Sequence, residues 1–109
     1  MKFSEKDIVL GIIKKKLEQY NINIIRVLLF GSRARGDFSK FSDWDFFVII
    51  DTECSFKEKV KIITEIKKEL AEERIPNDII LKAEQDFNND KNYVGNISYY
   101  VNMEGREVA

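Results

Sequence analysis

Along the first twenty positions the apolar residues Ile8, Val9, Ile12, Ile13, Leu17 and Tyr20 recur at helical spacing, with Lys14, Lys15 and Lys16 largely on the other side. Ser4, followed three residues later by Asp7, predicts the cap of that helix. The lysine run reads as a solvated helix face rather than a nucleic-acid patch. Asn21 to Asn23 breaks the period, and the β-branched and apolar run Ile24 to Phe30 predicts a buried strand. Gly31 to Ser42 is polar, with glycine at 31 and 36, which predicts a turn or a short helix. Asp43 to Ile50 predicts a second strand, apolar apart from its two acidic residues. Ser55 with Glu58 forms a capping box ahead of a helix whose apolar face is Val60, Ile62, Ile63, Ile66 and Leu70, ending near Arg74. Pro76 follows, then a short third strand over Asn77 to Leu81. A last helical segment within Asp86 to Glu104 carries Phe87, Ile97, Tyr100, Val101 and Met103, with Gly105 as its C-cap.

This order of helix, strand, strand, helix, strand, helix predicts an α/β (α+β) fold, a small mixed β-sheet with helices packed on one face. A chain of 109 residues fits a single domain spanning 1–109. With 44% hydrophobic and 34% charged residues the composition is that of a globular protein.

Charge and rare residues then narrow the chemistry. A formal net charge of -1 gives no bulk positive field for duplex nucleic acid, so a polyanion must be met by a local patch or through metal ions. The single cysteine, Cys54, excludes an internal disulfide and suits a reducing compartment, so the expectation is cytoplasmic. The N-terminus carries charge where a secretory signal needs apolar residues, and no apolar run approaches a membrane span. Histidine is absent from the chain, which removes Ser-His-Asp hydrolysis, histidine-based RNase chemistry and histidine-ligated zinc. Carboxylates remain as the leading metal ligands and bases.

Asp43 and Asp45 are two apart on the second predicted strand and so share one face, with Cβ atoms about 7 Å apart. Two like charges beside Phe46-Phe47-Val48-Ile49-Ile50 are costly unless a cation or water neutralises them. Carboxylates so placed suit Mg²⁺, and a pair of ions can clamp the attacking and leaving oxygens of an in-line displacement. The alternative is a solvent-facing pair at a strand start. Gly31-Ser32 ends the first strand; glycine allows close backbone approach, and the following amides with the Ser32 hydroxyl can bind phosphate. Alone the dipeptide is an ordinary turn, and its spacing to the aspartates, Gly-Ser-x₁₀-Asp-x-Asp, makes it specific. Arg33 and Arg35 are candidate phosphate partners or plain surface residues. Trp44, between the aspartates, reads as core.

The stretch Leu29-Phe30-Gly31-Ser32-Arg33-Ala34-Arg35-Gly36, followed by Phe41-Ser42-Asp43-Trp44-Asp45-Phe46, resembles the signature of the minimal nucleotidyltransferase (MNT) domains in the DNA polymerase β nucleotidyltransferase superfamily. The resemblance implies that Asp43 and Asp45 are Mg²⁺ ligands, that Gly31 and Ser32 bind the nucleotide triphosphate, and that a third carboxylate lies on a later strand. Asp78 is the best match to it, as a metal ligand and a base toward the acceptor hydroxyl, with Asp51 the weaker rival. Where family members usually carry an aliphatic residue, this chain has Trp44.

Stand-alone domains of this length resemble the MNT antitoxins paired with HEPN ribonuclease toxins. The resemblance therefore implies transfer of AMP from ATP to a tyrosine of such a toxin, within a hetero-oligomer. Two alternatives stay open: a non-catalytic antitoxin that neutralises its partner by occlusion, and a small-molecule nucleotidyltransferase.

Overall fold

A computed structural model describes residues 4–109. Helix α1 (Glu5–Gln19) is followed by β1 (Ile24–Phe30), the short α2 (Ser32–Arg35), β2 (Trp44–Ile50), α3 (Phe56–Glu72) and β3 (Asn77–Ala83). Two further helices, α4 (Glu84–Asp90) and α5 (Ile97–Glu104), precede a two-residue strand, β4 (Arg106–Glu107). The four strands form one mixed sheet in the order β3-β2-β1-β4, with β2 and β3 parallel and the other neighbours antiparallel.

Both predicted caps form. The Asp7 amide donates to Ser4 Oγ over 3.2 Å, and the Glu58 amide donates to Ser55 Oγ over 3.1 Å. Val9, Leu10, Ile13 and Leu17 of α1 and Ile62, Ile66 and Leu70 of α3 then bury against one face of the sheet, where they meet Val27, Leu29, Phe46, Val48, Ile50, Ile79 and Leu81. Each such side chain contributes roughly 1.5–3 kcal/mol through loss of apolar surface from water. Val60, assigned by spacing to the apolar face of α3, is 45% exposed, because it lies at the edge of the stripe that Ile62, Ile66 and Leu70 define. The first strand is buried only in its second half; Ile25 faces solvent.

The helices do not all lie on one face. Alternation along the strands turns Leu28, Phe47 and Ile49 to the opposite side, and Phe87 of α4 and Val101 of α5 cover them. The last helical segment is two helices because Gly95, at φ +103, turns the chain between them. Asn96 then caps α5, accepting from the Tyr99 amide while its own Nδ2 donates to the Asp90 and Tyr93 carbonyls at 2.9 and 2.8 Å. Gly105 follows α5 in extended backbone, φ -68, so its value is not a left-handed cap. A side chain there would run into the Val101 carbonyl and crowd Leu28.

Strand β4 was not legible in the helical pattern, since two residues carry no period. It pairs Glu107 with Leu28 and Arg106 with Leu29, and an ion pair joins Arg26 to Glu107. The free edge of β1 is thereby covered over this stretch.

Candidate active site

The site is set by register. Phe30 of β1 pairs with Asp45 of β2, and Asp45 pairs with Asp78 of β3. Side-chain alternation puts Phe30, Asp45 and Asp78 on the face that α4 and α5 cover farther along, at the end of the sheet where β1 finishes and β2 and β3 begin. Asp43, exposed, stands one residue before β2. Two carboxylates from segments far apart in sequence, Asp45 and Asp78, therefore become direct neighbours through the parallel pairing.

Asp45 is half-buried, and burial pushes its carboxyl up to about 6 from 3.8; the charges of Asp43 and Asp78 push the same way, while Arg35 and Lys67 oppose them. The nearby acidic groups offer only carboxylate oxygens, which suits a hard divalent cation such as Mg²⁺ rather than a soft metal. Among the described residues no three carboxylate, cysteine or histidine side chains converge into a ready-made metal cage.

Gly31 lies against this carboxylate. Its backbone, φ +73 and ψ -158, occupies a region that only glycine adopts readily. A Cβ there would also collide with Asp45 Oδ2. Gly31 opens α2: its carbonyl accepts from the Ala34 and Arg35 amides, both at 3.1 Å, which leaves the Ser32 and Arg33 amides without a partner inside the helix. The turn that begins at Gly31 is thus brought against Asp45.

The two arginines part company. Arg33 turns into the loop after α2: its guanidinium lies 4.1 Å from the Trp44 ring centroid and 4.8 Å from that of Phe38. It donates to the Ser42 carbonyl over 3.2 Å and to the Ser39 carbonyl over 3.3 Å. Arg35 is exposed, pairs loosely with Asp37 at 3.4 Å, and is the arginine whose charge reaches Asp45. Trp44 packs against the α1/α3 core, stacked on Phe46, with its indole N–H donating to Glu5 over 3.4 Å. Asp51 belongs to the far end of β2, where it accepts from the backbone amide and side chain of Asn23.

Sequence reasoning missed Lys67. It projects from α3 to the start of β3 and donates to the Asn77 carbonyl and Oδ1 at 3.2 and 3.1 Å, one residue before Asp78. Nothing local in the sequence separates it from the other lysines of α3; only the packing of α3 on β3 does.

The family described as "Polymerase beta, Nucleotidyltransferase" matches residues 12–102, which takes in the turn, the carboxylates and both sheet faces. The chain belongs to this nucleotidyltransferase family. A protein of Methanocaldococcus jannaschii named "Putative protein adenylyltransferase" is 44% identical to this nucleotidyltransferase over 52 residues, 48% of the chain and 46% of the relative. The match therefore spans about half the length of that protein. A crystal structure of a toxin–antitoxin with AMP-PNP shares the fold, with a TM-score of 0.57 at 16% identity, over 89% of this chain and 69% of that one. No helix among the described residues is long and apolar enough to cross a membrane.

Proposed function

We propose that this nucleotidyltransferase uses Mg²⁺ and ATP to transfer AMP to a tyrosine hydroxyl of a partner protein, and that the partner is a HEPN-type ribonuclease toxin silenced by the modification. The observation that carries the reading is the register of Asp45 with Asp78 beside the glycine-only turn at Gly31. The name of the M. jannaschii relative supports a protein acceptor, and the toxin–antitoxin neighbour supports the kind of partner and an adenine nucleotide.

In this reading Gly31 and Ser32 hold the triphosphate and Arg35 adds a guanidinium to it. Asp43, Asp45 and Asp78 would hold Mg²⁺, as a pair of ions, and the metal would supply charge neutralisation to the phosphates and to the oxygens of an in-line displacement. Arg33 keeps the loop that joins the turn to Asp43 in place. The tyrosine oxygen bonds to the α-phosphorus, its proton passes to Asp78, and the bond to the β-phosphate bridging oxygen breaks to release pyrophosphate. The protein's contribution is positioning and charge compensation.

The reading is tested by incubating the chain with Mg²⁺, α-labelled ATP and the product of the neighbouring gene. Wild type is expected to label the partner on tyrosine, and Asp43→Asn with Asp45→Asn to lose at least 10²-fold in rate. A second reading, neutralisation by occlusion, draws on the exposed apolar residues Tyr93, Val94 and Met103 around α5. Full neutralisation of the partner by the double variant would establish occlusion and sink catalysis as the working mechanism. Unchanged transfer by Asp78→Asn would remove the third carboxylate from the site.

A further inference from the structure

On the carboxylate-bearing face, beyond Phe30, lies a cavity of about 160 Å³ walled by Phe30, Gly31, Arg35, Ile97, Tyr100 and Glu104. Two larger clefts lie away from the carboxylates, one between α1 and α3 and one beside Asn21–Ile24 and the C-terminus. The small cavity is the one that adjoins the phosphate turn, and through the pairing of Phe30 with Asp45 it also adjoins the reacting end of the sheet.

Its walls have a recognisable chemistry. Ile97 and Tyr100, three apart on α5, leave 41% and 48% of their surface exposed beside a polar site, where a ligand can cover them. The Tyr100 ring is held edge-on to Tyr99, with centroids 5.3 Å apart and planes at 88°. The helix carrying both is fixed in place: Gly105 lets the Val101 turn press onto Leu28, and β4 pairs with Leu28 and Leu29 immediately afterwards. Among the described residues Glu104 forms no ion pair, and a carboxylate accepts N–H and O–H donors only. Arg35 supplies a cation at the Gly31 side.

A ligand meeting these walls needs a flat apolar surface for Tyr100, a hydroxyl or amine donor for Glu104, and an anionic end toward Gly31 and Arg35. We propose that this cavity is the nucleoside pocket of the enzyme, with Tyr100 as the platform for the base and Glu104 as the acceptor for a nucleoside N–H or O–H. The assignment rests on the nucleotidyl-transfer reading above, and it makes α5 the element that converts a triphosphate site into a nucleotide site.

The test is isothermal titration of the chain, in Mg²⁺, with a non-hydrolysable ATP analogue and separately with inorganic triphosphate. Wild type is expected to bind the analogue more tightly than triphosphate. Tyr100→Ala is expected to weaken the analogue by roughly 5- to 100-fold, the range for loss of a base-stacking ring. Triphosphate binding and the melting temperature should not move. Tyr100→Phe, which keeps the ring, should stay within about twofold of wild type, and Glu104→Gln should lose several-fold for the analogue alone. Equal binding of the two ligands by wild type, or unaltered analogue binding by Tyr100→Ala and Glu104→Gln, overturns the pocket while leaving the phosphate site standing. Failure of wild type to bind either ligand overturns both the pocket and the nucleotidyl-transfer reading.

Discussion

Gly31 and Asp45 constrain one another. The turn can approach the carboxylate only because position 31 has no side chain and accepts φ +73 with ψ -158. Gly31→Ala is therefore expected to cost at least 1–3 kcal/mol through backbone strain alone, with the Asp45 clash added. Urea denaturation should show the loss, and transfer should fall with it; a variant of wild-type stability would contradict the strained turn. Asp45 itself is held at a cost to stability. Its folded-state value is raised from 3.8 to about 6, so folding disfavours the ionised form. That penalty is absent below pH 3.8, grows as pH rises toward 6, and is complete above it. Asp45→Asn removes the penalty. The variant should melt roughly 2–5 °C above wild type at pH 7.5, after allowance for the partial exposure of the carboxyl, and this gain should vanish near pH 4. A melting temperature below that of wild type at pH 7.5 would show that the carboxylate is not under strain in the fold.

Among the elements, the loop between α2 and β2 owes its shape to Arg33, which bridges Phe38, Trp44 and two carbonyls. Arg33→Lys keeps the charge and loses both the planar stacking and the forked donation. We expect a loss of about 1–2 kcal/mol and faster amide exchange over residues 37–42, with less effect on exchange in α3. Equal protection of the loop in both proteins would remove Arg33 from this role. The same elements explain what the sequence made legible. Strands β1 and β2, helices α1 and α3 and their serine caps follow from local patterns, and so does the turn; the expected strand-borne pair does not form as read, because β2 begins at Trp44 and leaves Asp43 one residue ahead of it. The contrasting placements of Arg33 and Arg35 were not legible, because both are arginines in one polar stretch and differ only in what the fold puts opposite them. The reach of Lys67 to Asn77, the break at Gly95 and the two-residue β4 depend on tertiary contact or on backbone angles, which residue spacing does not encode. Coverage of the second sheet face was missed for a related reason. Phe87 and Val101 sit in short helices whose few apolar residues do not announce which face they meet.

Across the whole molecule, β4, which follows α5 directly, closes one edge of the sheet by pairing with β1. Deleting residues 106–109 should lower the melting temperature and leave β1 open along its length. Light scattering should then show concentration-dependent association through that edge, and a strictly monomeric, equally stable product would refute the protective role. The opposite edge carries a different consequence. Asp45 and Asp78 meet only through the parallel pairing of β2 with β3, and parallel neighbours require a crossover, here the whole of α3. No hairpin-sized fragment can assemble the site. During synthesis Asp45 and Asp78 cannot become neighbours until residues past Asp78 have emerged and β3 has docked, and long-range parallel pairing is among the slower steps of folding. A nascent chain therefore cannot present this carboxylate pair until the sheet that brings the two strands together is complete.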